Sequence, residues 1–248
     1  MSQITVRPTS YESIEPLRAQ LRAEAGCQIV RDSILRRGLA QPYSIRQEDR
    51  EVGYGGVWVE HDPGRIMEFW IAPGDRGRAP EYCGALVRAS SAHEIEAQTN
   101  LPLMHAMMDH FGLDPRTSHL LFEDARTSAL PGDGWMVRAP TPSDGEVDAD
   151  WVVEDRGAVV GQGGLMSHYN PPYLDVYMSV EAERRREGIG AWLVQQLCAI
   201  AHGRGAIAAA RCAVDNEASR RTLLRGGMRE VGRIEWATVN RELLAEVR

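Results

Sequence analysis

The chain has 248 residues, 43% of them hydrophobic, and a formal net charge of −7. That is enough apolar material for one large core or two ordinary ones, and no basic surplus with which to hold a nucleic-acid backbone. Its longest apolar runs, such as GALV and AIAAA, fall far short of a bilayer span, and MSQITVRPTS shows no basic region followed by an apolar leader. The cysteines, Cys27, Cys83, Cys198 and Cys212, are too widely spaced for zinc pairs or a disulfide scaffold. These features predict a cytoplasmic protein with free thiols, without a metal and without a membrane or nucleic-acid partner. The acidic balance favours an amine-bearing partner.

In chain order, ITVRPTS (4–10) alternates as a short strand, and residues 11–26 and 29–38 read as two amphipathic helices. PYSIRQ and VGYGGVWVE form a hairpin around a polar turn, and RIMEFWI adds a strand. A helix EYCGALVRAS, a strand HEIEAQT, a helix LMHAMMDHF and a strand HLLFED follow, giving the order βααβββαβαβ. TSALPGDG (127–134) is rich in turn formers.

Beyond it the order partly repeats. WMVRAPT echoes ITVRPTS, the hairpin at 151–168 echoes the first one, and YLDVYMSV echoes RIMEFWI. A helix GAWLVQQLCAIAHGRG, a strand IAAARCAV, a helix EASRRTLLRG and a strand near REVGRIEW complete it. An internal repeat of half the chain predicts two tandem domains, 1–126 and 134–248. Only PTPSDGEVDAD stands where the first half has two helices, so the helices within 11–37 or the domain interface are expected to cover the second domain's exposed apolar surface.

EAERRREGIGA (181–191) is the most informative stretch. An arginine run is ordinarily a solvated face. This one lies between a strand ending at Val180 and a helix opening with Gly188, Ile189 and Gly190. Unpaired amides of a helix N-terminus attract anions, glycines allow close backbone approach, and Arg185 and Arg186 add charge.

RREGIG (Arg185–Gly190) resembles the pyrophosphate-binding motif R/Q-x-x-G-x-G/A of the GNAT acyltransferases. CAVDNEASRRTLLRGGM (212–228) resembles the family's next signature, in the N-x-x-S form of the branch that acetylates ribosomal-protein N-termini. The likeness covers residues 135–236. It implies an α/β (α+β) fold of two tandem GNAT-like domains, each a mixed, mostly antiparallel twisted sheet flanked by helices. It also implies an N-acetyltransferase with acetyl-CoA as cosubstrate and a small-molecule primary amine as acceptor. Monomer and homodimer are both open, as are a coenzyme-A-binding sensor without turnover and a protein N-terminal acetyltransferase.

Residue by residue, the likeness implies that the amides of Arg186, Gly188, Gly190 and Ala191, around Ile189, wrap a pyrophosphate, with Arg185 beside them. The edge at Met178, Ser179 and Val180 would pair with the pantetheine arm. Asn216 would contact that arm or hold the strands apart, or act only as a helix cap, with Ser219 and Arg220 on the adjoining helix. In the first half Ala79, Pro80 and Glu81 stand opposite Gly188, Ile189 and Gly190. Proline removes a donor and glutamate brings an anion, so that copy is expected to hold no coenzyme A.

Attack by an amine needs a base, and departure of a thiolate benefits from an acid. Asp175 and Tyr177 share one strand face by alternation, with Asp175 the expected base and His168 in the preceding loop the second candidate. The slot where the family often carries a tyrosine holds Leu223, so Tyr177 or water is left as the acid. Cys212, His105 and His110 read as core residues. Glu68, Glu94, Glu96 and Gln98, polar on first-half strands, fit a vestigial pocket or an interface equally well.

Overall fold

The computed structural model describes residues 3–26, 32–126, 129–132, 134–167 and 170–246. The protein forms two compact units, Met1–Ser118 with Arg233–Arg248, and His119–Gly232. The first contains β1 (Ile4–Pro8), α1 (Tyr11–Glu24), α2 (Asp32–Arg36), β2 (Ala40–Gln47), β3 (Arg50–Trp58), β4 (Arg65–Ile71), α3 (Ala79–Ser90), β5 (Glu94–Gln98) and α4 (Pro102–Phe111). β6 (Gly112–Asp124) leaves this unit after Ser118. In the second unit follow β7 (Met136–Arg138), β8 (Trp151–Asp155), β9 (Ala158–Met166), β10 (Tyr173–Val180), α5 (Ile189–Gly203), β11 (Ile207–Ala213) and α6 (Glu217–Arg225). β12 (Met228–Val239) re-enters the first unit, which α7 (Arg241–Glu246) closes.

In the first unit β1 to β4 are antiparallel neighbours, β5 joins β4 in parallel, and β12 lies antiparallel on β5 from Ile234↔Gln98 to Thr238↔Glu94. One sheet face packs Phe69 against Leu86 and Val87 of α3 and Phe111 of α4. The other packs Tyr54, Trp58 and Trp70 against Ile14 and Leu21 of α1. α1 is started by Ser10, whose Oγ accepts the Ser13 amide at 3.3 Å.

In the second unit β7 to β10 are antiparallel, β11 runs parallel to β10, and residues 119–123 of β6 lie antiparallel on β11. α5 packs on β9, β10, β11 and α6, because Leu193, Val194, Leu197 and Ala201 form one apolar stripe that meets Val160, Val176 and Ala208.

Three expectations change. The division at 1–126 and 134–248 gives way to boundaries inside two strands, because each half contributes its final strand to the other unit's sheet. The helices of residues 11–37 cover their own unit: α1 packs on β2, β3 and β4, and α2 on β2. The second of them is one short turn over Asp32–Arg36; residues 27–31, with Cys27, lie outside the described residues. In the second unit the short 141–150 segment itself meets β9 and β10, where Asp150 Oδ2 accepts the Leu165 amide at 3.0 Å and the Asp150 amide donates to the Tyr177 hydroxyl at 3.3 Å. Among the described residues no helix is long and apolar enough to cross a membrane, and no group of three or more His, Cys, Asp and Glu could hold a metal ion.

Under α1 the Arg18 guanidinium donates to both Glu68 carboxylate oxygens at 3.1 Å, and the Tyr54 hydroxyl donates to Oε1 at 3.0 Å. A buried ion pair is tolerable only with its remaining lone pairs satisfied. Tyr54→Phe therefore costs about 1.5 kcal/mol of stability, the value of a hydrogen bond to a charged group, read as a lower urea midpoint at unchanged slope.

Candidate active site and anion seat

β10 pairs with β9 from Asp175 to Val180, but with β11 only from Tyr173↔Ile207 to Asp175↔Ala209. Beyond Asp175 the two parallel strands diverge, leaving residues 176–180 without a ladder partner on the β11 side. At that edge lies a cavity of about 730 Å³.

After Val180 the chain makes one tight turn, Ala182–Arg184, and enters α5 through Gly188, whose φ of 101° lies in the left-handed region where a side chain is strained. No side chain caps α5, so its first amides are left for an external acceptor. Gly190 is required by proximity: a Cβ there would stand 3.2 Å from Thr222 Cγ2 and 3.5 Å from Val180 Cγ2.

The three arginines of the run have different roles. Arg184 is tied to Asp155 at 2.7 Å and to Glu187 at 2.8 Å. Arg185 Nε donates to the Val180 carbonyl at 3.2 Å, bracing the turn. Arg186, at φ 69°, lines the cavity and has no ion pair among the described residues. Met178, Ser179, Ile189, Ala191, Asn216 and Ser219 join it on the lining, which brings together every expected coenzyme residue except one. Arg220 turns away: its guanidinium is 3.3 Å from Glu230 and 3.8 Å from Glu217. The face of α6 that lines the cavity instead carries Ala218, Arg221, Thr222 and Arg225. The i, i+4, i+7 spacing of Ala218, Thr222 and Arg225 could have revealed that face.

Asn216 caps α6, its Oδ1 accepting the Ser219 amide at 3.0 Å, so the N-x-x-S spacing has a local structural cause. Arg225 has no ion pair among the described residues, and its guanidinium nitrogen lies 3.6 Å from where a Gly188 Cβ would stand. The cavity thus joins two guanidinium groups, Arg186 and Arg225, to a run of exposed helix-terminal amides. That combination can grip a polyanion.

The corresponding turn of the first unit lacks each of these features. α3 begins at Ala79 with Arg78 before it at φ −110°, so the turn is one residue shorter than the second unit's and Pro80, rather than Glu81, matches Gly190. Arg78 is bound to Glu81, at 3.0 Å through Nε, which neutralises the local cation and holds the Glu81 carboxyl below its ordinary range.

On β10, Val176, Met178 and Val180 face the α5 core, so Asp175 and Tyr177 point to the opposite face, as alternation predicts. Asp175 is 4% exposed. Burial raises its pKa to about 6, with the Arg211 charge pulling weakly the other way. Tyr177 crosses β9 at Gly164, where a Cβ would come within 2.3 Å of its hydroxyl, and burial raises its pKa. Asp175 and Tyr177 are outside the cavity lining. Asp175 stands roughly 10 Å along the strand from Met178 at a rise of about 3.3 Å per residue. His168 lies outside the described residues. Leu223 is buried in the α5 core, and Cys212 is a buried thiol whose pKa burial raises.

Residues 119–227 match a family model described as the acetyltransferase (GNAT) family. A GNAT-family acetyltransferase from Colwellia psychrerythraea superposes with a TM-score of 0.76 at 14% identity, over 96% of this chain and 100% of that one. The tandem GNAT protein from the clavulanic acid biosynthesis pathway, in a structure without AcCoA, gives 0.57 at 15% identity over 96% and 99%. A GCN5-related N-acetyltransferase from Sphaerobacter thermophilus gives 0.56 at 13% over 95% of each chain. At such identities the likeness is one of fold. No curated protein matches the sequence.

Proposed function

We propose, from the premise that residues 119–227 form a domain of the GNAT acetyltransferase family, that this protein transfers an acetyl group from acetyl-CoA to the primary amine of a small molecule. The observation that carries the reading is the seat itself: a cradle that a Cβ at Gly190 would crowd, flanked by Arg186 and Arg225 and continuous with the open β10 edge. These residues fit a pyrophosphate joined to an extended amide-bearing arm. The amides of Gly188, Gly190 and Ala191 hold the phosphates, and the backbone of Met178 to Val180 pairs with the arm.

The bound thioester supplies an acyl carbon open to attack by an amine. Asp175, with its pKa near 6, is ionised at neutral pH yet close enough to an ammonium's needs to take its proton, directly or through water. The Tyr177 hydroxyl, kept protonated by its raised pKa and held by the Asp150 amide, still has its own proton to give to the departing sulfur.

Calorimetric titration with acetyl-CoA, followed by a thiol-release assay over a panel of amines, tests both clauses. No binding at physiological concentrations defeats the whole reading. Binding without thiol release favours a sensor, the reading that Leu223 in the tyrosine slot supports. Removing one cation from the seat has a moderate effect: Arg225→Ala weakens acetyl-CoA binding roughly tenfold, the worth of one charge-assisted contact, with the unfolding midpoint unchanged.

A further inference from the structure

The face of the second unit's sheet turned away from α5 carries a cation that the coenzyme seat does not use. On β11, Ala208, Ala210 and Cys212 pack into the α5 core, so alternation turns Ala209, Arg211 and Ala213 to the opposite face. Asp175 and Tyr177 share that face. The last paired residues of the two parallel strands are Asp175 and Ala209. Tyr177 and Arg211 each stand two residues further on, roughly 7 Å at a rise of about 3.3 Å per residue. They therefore flank the start of the divergence from its two sides.

Arg211 is exposed although Ala210 and Cys212 beside it are buried. Among the described residues its guanidinium makes no hydrogen bond and no ion pair. The neighbouring strand β6 does not supply one: Leu121 stands opposite Arg211, and Glu123, opposite Ala209, is bound to Arg229 at 3.1 Å. Arg211 is also outside the lining of the coenzyme cavity. Its charge is felt at Asp175, whose carboxyl it draws down against the larger effect of burial. One anionic and one cationic group thus share a sheet face beside the gap, an arrangement complementary to a zwitterion.

Resting on the acetyl-transfer reading above, we propose that the acceptor is an amino acid, with its nitrogen at Asp175 and its carboxylate on the Arg211 guanidinium. An arm paired with the β10 edge from Val180 to Met178 delivers its acyl end at the level of Tyr177, between the two. The planar fork of a guanidinium suits a carboxylate through two parallel hydrogen bonds. The carboxylate stays outside the bond changes: nitrogen joins the acyl carbon, and the carbon–sulfur bond breaks. Of the ammonium's three protons, one remains on the new amide, one ends on the sulfur by way of Tyr177, and one reaches solvent by way of Asp175. An amine without a carboxylate loses a contact and keeps the chemistry.

The test measures thiol release at saturating acetyl-CoA with the common α-amino acids, β-alanine and 4-aminobutyrate, each beside its primary amide. The best acceptor is expected to exceed its amide at least about tenfold in kcat/KM, the worth of one charge-assisted bond, although the amide's amine is the less basic and sheds its proton more easily. Arg211→Gln should bring the two close to equal by raising KM for the acid, and Arg211→Glu should reverse the preference. Acetyl-CoA titration of each variant reports whether it is folded, and the native ratio decides the matter even if neither variant folds. The inference is overturned if amide equals acid in the native protein or if a folded variant keeps the native ratio. It is overturned equally if acetyl-CoA binds and only carboxylate-free amines, or none of the panel, are acetylated. Failure of acetyl-CoA to bind defeats the underlying reading, and this inference with it.

Discussion

Gly190→Glu lowers the affinity for acetyl-CoA at least ~100-fold, or about 2.8 kcal/mol. Gly190 is the second residue of α5 and its missing Cβ faces Thr222 and the cavity, so the new carboxylate enters the space that the phosphates need. It consumes α5 amides that would each give a charge-assisted bond of about 1.5–3 kcal/mol, and it sets a negative charge against a polyanion. The first unit already carries a version of this arrangement, with Pro80 and Glu81 opening α3 and Glu81 holding Arg78. Gly190→Ala is the graded control: its Cβ needs only a few tenths of an ångström from Thr222 Cγ2, so a loss of several-fold is expected. Calorimetry beside circular dichroism separates lost binding from lost folding. A Glu variant that binds normally removes the seat from the mechanism.

Asp175→Asn lowers kcat by roughly 10²–10⁴, the usual contribution of a positioned base, and leaves acetyl-CoA affinity near that of the native protein because residue 175 is outside the seat. The native kcat/KM should rise with pH through about 6, as the carboxyl ionises, and then level. That acidic limb disappears in the Asn variant. The same carboxyl predicts an opposite effect on stability. Its folded pKa is raised, from 3.8 to about 6, so its contribution is complete below pH 4 and is lost as pH rises through 6. At pH 8 the native protein forgoes roughly 3 kcal/mol that the Asn variant keeps. A slower but more heat-resistant variant at pH 8, with the difference in melting temperature gone near pH 4, is the combined signature. Full turnover in Asp175→Asn leaves the base to another group.

Much of this was legible in local pattern. The alternation of RIMEFWI and YLDVYMSV, and the apolar stripe of the helix after Gly190, fixed β4, β10 and α5, and with them the seat. Other features depend on distant partners. The HLLFED strand extends back to Gly112 through polar residues and Pro115, which carry no strand signal. Nothing in REVGRIEW says that its C-terminal part pairs with β5 rather than β11, because both edges accept the same alternation. Arg220 is expected at the seat, and Thr222 and Arg225 stand there instead, because motif spacing alone does not say which face of a helix a residue occupies.

The exchange of β6 and β12 also bears on how such a protein can be inherited. A gene split within codons 127–134 would look like a clean separation of two repeats. Yet the second product would carry residues 233–248 of the first unit, and the first would keep residues 119–126 of the second. Each product would be born with an unfilled sheet edge, a template for wrong pairing, and with a strand fitted only to the other. The repeats have become obligate companions, so fission would yield a heterodimer or an aggregate, not two free-standing proteins.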